Sequence, residues 1–237
     1  MKNIQLPSCN HCKNENKLFC GLGHSDRESL SEGKKGNKFT SGEIIFREAS
    51  QPYNLFCIYN GKVKLSKVGS EGKEQIVGFA KQGEVIGFSS LISNQPYNVT
   101  ATAIEDSYIC AISKQAFIER LNNNNVLSQN LIQLLSDSLK NSEDKLISIS
   151  QSPVKERVAH AILMLITSFG FEKDGSTLSV VLTRREIGEI ACTTTETTIR
   201  TLAQLRQDRI IELRQKKIKV IDMDRLVSLA ESNSPLF

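Results

Sequence analysis

Between residues 38 and 112 apolar and polar positions alternate in short runs, EIIF, NLFCIYNGKVKLSKV, EQIVGFA, EVIGF and SYICAI. Turn signals separate them at Ser41-Gly42, Asn60-Gly61, 69–72, Gly83 and 94–96. Period-two alternation in runs this short predicts strands, and their regular spacing predicts a small antiparallel sandwich or jelly roll. After Ser113 the period becomes helical. Leu127, Leu131, Leu134, Leu135, Leu139, Leu146 and Ile149 predict a long helix over about 126–150, with Ser142 interrupting the stripe. One small domain has little room to bury so long a stripe, so Leu131, Leu135, Leu139 and Leu146 are expected to form a seam with a second copy.

Ser150, Gln151, Ser152 and Pro153 punctuate the end of that helix, and a mainly helical region follows. Helices are predicted over 154–169, 183–191 and 194–207, two strands around a polar turn in IIELRQKKIKVID, and a closing helix over 224–230. Thr183 with Glu186 three residues on has the capping-box pattern. Gly188 permits a close helix crossing, and Ala191-Cys192-Thr193 is short enough for a tight turn. The next helix, capped by Thr194 or Thr193, presents Thr195, Glu196, Ile199 and Arg200 from its first turns, where a recognition helix meets base edges. The pattern is a helix-turn-helix with a wing.

Charge sharpens this picture. The chain has 237 residues, 39% of them hydrophobic, enough for one large domain or two small ones, and a formal charge of +4. The charge is uneven: 200–219 holds seven basic residues against Asp208 and Glu212. Such a surface attracts a polyanion, although a solvated helix face has the same composition. Arg200 has the donor pair for guanine O6 and N7, and Glu196 the acceptor for cytosine N4. Glu196 also stands three residues after Thr193, so a second capping box is the competing reading. Thr183, Arg184, Arg206, Arg214, Lys216 and Lys217 are assigned to phosphates.

MKNIQLPS has no apolar core of a leader, and the longest mainly apolar run, 161–171, is too short to span a bilayer. A cytoplasmic protein without a membrane partner is expected. In that reducing compartment the cysteines of SCNHCKNENKLFCGL, Cys9, Cys12 and Cys20, read as metal-binding or redox groups and not as a staple. Zinc, with His11 or His24 joining, an iron-sulfur site and a dithiol all fit. Cys57 and Cys192 read as ordinary buried thiols. No base constellation or phosphate loop supports an enzyme, and His11, His24 and His160 form no triad.

The succession of sandwich, long helix and winged helix-turn-helix, with GSEGKEQIVGFAKQGEVIGF, PVKERVAHAIL and TRREIGEIACTTTETTIR, resembles the Crp/Fnr family of bacterial transcription regulators. The resemblance implies an α+β fold: a cysteine-containing segment (1–30), a cyclic-nucleotide-binding-like β jelly roll (31–115), a dimerisation helix (116–150) and a carboxyl-terminal winged helix-turn-helix (151–237). It implies a homodimer on double-stranded DNA, a palindromic site with a TGA-like half-site core read by Glu196 and Arg200, and a contact with RNA polymerase at 69–73. Thr195 replaces an Arg of cyclic-AMP-responsive members, and Ile199 a Gly or Ser. Thr198 and Thr201 replace apolar residues, which predicts looser packing of the recognition helix.

Family members that bind cyclic AMP carry a Glu for the ribose and an Arg-Ser pair for the phosphate. Here Phe88 and Tyr97, Asn98 and Val99 stand at those places, so cyclic AMP is not expected. The Fnr-like branch holds a [4Fe-4S] cluster through three amino-terminal cysteines and one on a late strand. By position the resemblance implies Cys9, Cys12, Cys20 and Cys110, with oxygen, redox state or nitric oxide as the signal and the intact cluster favouring the DNA-binding dimer. The alternatives are a regulator of this family whose jelly roll binds an effector other than cyclic AMP, and a thiol or zinc redox protein.

Overall fold

Alternation along the first half resolves into two antiparallel sheets in the computed structural model, which describes residues 2–12, 14 and 16–231. In chain order the elements are β1 (Lys2–Ile4), a 3-10 turn (Cys9–His11), α1 (His24–Ser31), β2 (Lys35–Phe39), β3 (Ile44–Phe46), β4 (Asn54–Asn60), β5 (Lys62–Val68), β6 (Glu74–Lys81), β7 (Val85–Ile86), α2 (Phe88–Ser93), β8 (Thr100–Ala103), β9 (Ser107–Ser113) and α3 (Lys114–Asn123). Then come α4 (Asn125–Gln151), α5 (Val154–Phe169), α6 (Arg184–Ile190), α7 (Thr195–Gln207), β10 (Ile211–Arg214), β11 (Lys217–Val220) and α8 (Met223–Glu231). Contacts divide the chain into two compact units, one of 1–67 with 77–140 and one of 68–76 with 141–237.

In the first unit the sheets run β1-β2-β9-β4-β7 and β3-β8-β5-β6. Phe39, Phe56, Ile58, Ile109 and Ala111 of the first pack on Phe46, Val63, Ala101 and Ala103 of the second, so the inner faces close a sandwich core. Because successive side chains leave opposite faces of a strand, Leu55 and Cys57 on β4 and Ile112 on β9 emerge on the outer face. There they join a second core with Leu18, Leu22, Leu30, Phe117, Leu127 and Leu131, contributed by the amino-terminal segment and three helices. This five-stranded sheet is thus covered on both faces.

The elements missed in the sequence are those with weak apolar periodicity. β8 is TATA, without large apolar residues; α1 buries only Leu30; and α2 is a six-residue turn of helix entered through Gly87. β2 begins at Lys35, earlier than the expected start at 38. Ser142 does not interrupt α4, which is one helix of 27 residues.

In the second unit, α5 turns Val158, Ala159, Ala161, Ile162 and Leu165 inward, with α6, α7, the β10-β11 hairpin and α8 around it. The hairpin pairs Ile211 with Val220 through Arg214 with Lys217, which makes the expected wing. The helices α5 and α7 fall within a residue of their expected bounds because their stripes are long, while the hairpin ends at Val220, two residues before the expected stretch does.

Candidate functional site

The reading end of the second unit is fixed by caps and one glycine. Thr183 Oγ1 accepts from the Glu186 amide (3.2 Å), and Glu186 Oε2 accepts from the Thr183 amide (2.9 Å), the reciprocal box that starts α6. A Cβ at Gly188 would lie 2.7 Å from Thr198 Oγ1 and 3.0 Å from the Thr193 carbonyl oxygen, so only glycine allows α7 this close. Thr198 and Thr201 are buried, and the Thr198 hydroxyl donates to the Thr194 carbonyl (2.9 Å). The looser packing expected of these threonines is therefore not found. Their small size suits a crossing this tight, and the Thr198 hydroxyl is satisfied within its own helix.

Thr194 caps α7 by accepting from the Thr197 amide (3.2 Å). The alternative box between Thr193 and Glu196 does not form. Thr195, Glu196, Ile199 and Arg200 are all exposed, on successive turns of one helix face. Arg157, on α5, holds the turn between the helices: its guanidinium donates to the carbonyls of Ala191 (2.9 Å), Ser152 (2.7 Å) and, at 3.4 Å, Cys192. Its place in PVKERVAHAIL was visible, but nothing local in the sequence signals its carbonyl partners.

The six residues assigned to phosphates differ in what they already bind. Thr183 is in the cap. Arg184 donates to the Gln215 carbonyl at the tip of the wing (3.1 Å), and its Nη1 is buried without a hydrogen-bond partner among the described residues. Arg206 and Lys216 are exposed. Arg214 forms a two-pronged pair with Glu212 (3.0 and 3.1 Å), and Lys217 pairs with Glu172 (2.6 Å), so a phosphate at either must compete with a carboxylate.

In the first unit, Cys9, Cys12 and Cys110 are drawn together and Cys57 stands with them. Burial pushes the Cys110 thiol up to about 11 against the pull of the Lys34 ammonium, with Cys9 and Cys12 adding to the rise. Cys57 is held well above the ordinary thiol range by burial first, then by Cys110, Cys9 and Cys12. Burial thus desolvates Cys57 and Cys110, with Cys9, Cys12 and Lys34 near enough to act on them electrostatically. Cys20 is exposed, and its carbonyl accepts from Asn130 Nδ2 on α4 (2.8 Å). His11 is held by Ser8 (2.8 Å) and His24 lies 3.6 Å from Glu28. Among the described residues no group of three or more Cys, His, Asp or Glu side chains is placed to hold a metal ion. Thiols are donors that suit an iron-sulfur cluster better than the harder cations.

The seam residues divide. Leu131 is only 5% exposed and belongs to the core over the outer face of the sandwich, so its assignment to the seam is corrected. Ile132, one position on, is 63% exposed, and Leu135, Leu139, Leu146 and Ile149 are exposed as well. Ile132, Leu135, Leu139, Ser142, Leu146 and Ile149 follow one another by alternating steps of three and four, the spacing of a two-stranded seam. The sequence alone could not rank Leu131 against Ile132, because both belong to plausible stripes.

The cyclic nucleotide-binding domain family matches residues 37–124 and the Crp-like helix-turn-helix domain family residues 156–229. Electron transport regulator A of Shewanella oneidensis is 30% identical over 204 residues, covering 86% of this chain and 80% of that protein. The chain belongs to the Crp/Fnr family. Other Crp/Fnr relatives are the transcriptional activator protein Anr of Pseudomonas aeruginosa (27% identical; 90% of this chain, 88% of that one) and the fumarate and nitrate reduction regulatory protein of Yersinia pestis (28%; 88% and 82%). Among solved structures FixK2 from Bradyrhizobium japonicum shares the fold, with a TM-score of 0.74 at 23% identity over 83% of this chain and 96% of that one.

As a Crp/Fnr member the chain is a DNA-binding transcription regulator and not an enzyme, in a family whose members work as dimers. No helix among the described residues is long and apolar enough to cross a membrane. Tyr97, one of the residues expected at the place of the family's phosphate contacts, lies in the jelly-roll core. Its ring is buried, stacks on Phe46 at 4.0 Å between centroids, and donates its hydroxyl to the Asn54 carbonyl (2.7 Å).

Proposed function

We propose that this regulator responds to oxygen, redox state or nitric oxide through a [4Fe-4S] cluster held on the outer face of its jelly roll, and binds palindromic DNA as a homodimer. The observation that carries the reading is the convergence of Cys9 and Cys12, from the amino-terminal segment, on Cys110 of β9. The family spacing supplies Cys20 as the fourth ligand. When bound, such a cluster supplies a centre that O2 or nitric oxide degrades or converts. The Phe46–Tyr97 stack lies in the jelly-roll core, which argues against cyclic AMP there.

The thiol-bearing segment is tied to the start of α4. Asn130 donates to the carbonyls of Leu18 (3.1 Å) and Cys20 (2.8 Å), and Asn124 to Asp26 (2.7 Å). A change in how residues 9–20 are anchored therefore alters what α4 packs against, a few residues before Ile132 and Leu135. A small bias at a seam shifts a dimer equilibrium by the difference in affinity of the signal for the two states. The four parts read from the sequence thus have roles: 1–30 senses, 31–115 carries the late-strand thiol, 116–150 pairs two copies, and 151–237 reads DNA in the cytoplasm.

In the DNA complex Glu196 and Arg200 read a TGA-like core, with Thr195 and Ile199 facing the outer bases. Thr183, Arg184, Arg206 and Lys216 contact phosphate, and Arg214 and Lys217 do so by exchanging a carboxylate for it. The half-satisfied Arg184 guanidinium supports that role. The turn at 69–73, closed by the Gly69 amide on the Lys73 carbonyl (2.9 Å), is the surface for RNA polymerase.

The test is anaerobic purification with iron and acid-labile sulfide analysis and an absorption spectrum before and after air. Bound iron and sulfide with a spectrum that bleaches in air are expected. Colourless, iron-free protein after anaerobic reconstitution overturns the cluster reading while leaving the DNA-binding assignment intact.

A further inference from the structure

The two ion pairs on the wing are built differently. Arg214 and Glu212 lie two residues apart on β10, so that pair travels with its own strand. Lys217, at the start of β11, is held instead by a residue forty-five positions earlier, with Nζ 2.6 Å from Oε1 of Glu172. Glu172 stands on a turn in the connection between α5 and α6. Within the turn, the Glu172 amide donates to the Thr177 carbonyl (2.7 Å) and the Gly175 amide to the Glu172 carbonyl (2.9 Å). Against β11, the Leu178 amide donates to the Ile218 carbonyl (2.9 Å) and the Val220 amide to the Ser176 carbonyl (2.8 Å), which fastens the turn along the wing.

Asp174, the other carboxylate of this turn, is taken up inside it. It accepts from the amides of Ser176 (3.1 Å) and Thr177 (2.9 Å) and from the Thr177 hydroxyl (2.7 Å). Glu172 is instead turned to a wing cation. The side chains of that pair are 47% exposed at Lys217 and 38% at Glu172, so the pair adds little to the stability of the fold and solvent reaches the ammonium. What the pair does is occupy a charge that faces the same polyanion as its neighbours on the wing.

We infer that Glu172 is an intramolecular competitor of DNA phosphate, which lowers the affinity of the wing for the duplex backbone until a phosphate displaces it from Lys217. The inference rests on the reading of Lys217 as a phosphate contact, and it gives a role to a residue outside both the helix-turn-helix and the wing. Because the backbone of the turn is fastened to β11, the wing cannot carry Lys217 away from Glu172. The lysine side chain swings from carboxylate to phosphate while the wing stays in place. Phosphate contacts carry no sequence information, so Glu172 weakens binding to all duplexes alike, and a stable complex depends on adding the base contacts of α7.

The experiment titrates a labelled duplex of scrambled sequence, read by fluorescence anisotropy at one salt concentration, with wild type, Glu172→Gln, Lys217→Gln and the double variant. Melting curves establish that each is folded. Glu172→Gln keeps the shape of the side chain and removes its charge. It is expected to bind about 2- to 30-fold more tightly than wild type, the range for one exposed pair on each of two wings, and to bring no gain when added to Lys217→Gln. An equal gain in both backgrounds makes Glu172 a source of general repulsion and overturns the competition. No gain in either, with Lys217→Gln weaker than wild type, overturns the inference and leaves Lys217 on a phosphate. No gain in either, with Lys217→Gln binding as wild type, removes the phosphate contact itself and the inference with it.

Discussion

Replacing Leu139 by Ala is predicted to dissociate the dimer, whereas replacing Leu131 by Ala is predicted to weaken the fold and spare the dimer. Leu139 is 61% exposed on α4 in the single chain. Truncation to Ala removes three carbons worth about 0.8 kcal/mol each when fully buried. Scaled by that exposure, the loss is about 1.5 kcal/mol per chain and about 3 kcal/mol per dimer, on the order of 100-fold in Kd. Leu131, 5% exposed, is already buried in its own unit, so Leu131→Ala costs about 2–5 kcal/mol of unfolding free energy and no association energy. Sedimentation equilibrium gives the dimer Kd, and urea unfolding at one fixed protein concentration gives the stability. If Leu131→Ala dissociates the dimer and Leu139→Ala leaves Kd unchanged, the seam lies on another face and the heptad running from Ile132 to Ile149 is not the interface.

The DNA-reading end offers three further measurements. Arg200→Ala is expected to cost about 1–3 kcal/mol on the preferred site and little on scrambled DNA, while Lys216→Ala weakens both alike; equal losses on both sequences for Arg200→Ala make it a phosphate contact. Gly188→Ala drives a methyl against Thr198 and the Thr193 carbonyl, and is expected to destabilise the second unit by about 1–3 kcal/mol in thermal or urea unfolding; an unchanged midpoint refutes the close crossing. Arg157→Ala releases the turn carbonyls of Ala191 and Cys192 and should reduce DNA affinity with stability lowered by about 2 kcal/mol; DNA binding at wild-type affinity by fluorescence anisotropy removes its role in placing α7.

The sequence by itself determined what depends on neighbours along the chain. The Thr183–Glu186 box, the Gly188 crossing and the 3.6-residue stripes of α5 and α7 are local, so the winged helix-turn-helix and its exposed Thr195, Glu196, Ile199 and Arg200 were readable before any coordinates. The Thr194 cap decided a choice that spacing had left open, because Thr193 and Thr194 are equally good caps and only the path of the turn, with Cys192 at positive φ, selects one. Strands with small or mixed residues, such as TATA, lay below the threshold of the alternation signal.

Tertiary structure alone decided which residues share a place. Leu131 and Ile132 are adjacent in sequence yet belong to different surfaces, one in a core and one exposed, because consecutive residues on a helix are rotated by about 100°. Cys57 and Cys110 are fifty-three positions apart and meet because β4 and β9 pair in one register; a slip of a single residue would turn one thiol to the inner face. Spacing within the amino-terminal segment grouped Cys20 with Cys9 and Cys12. Strand pairing sets Cys57 beside Cys110, because thiols meet through the faces the backbone gives them and not through their distance along the chain.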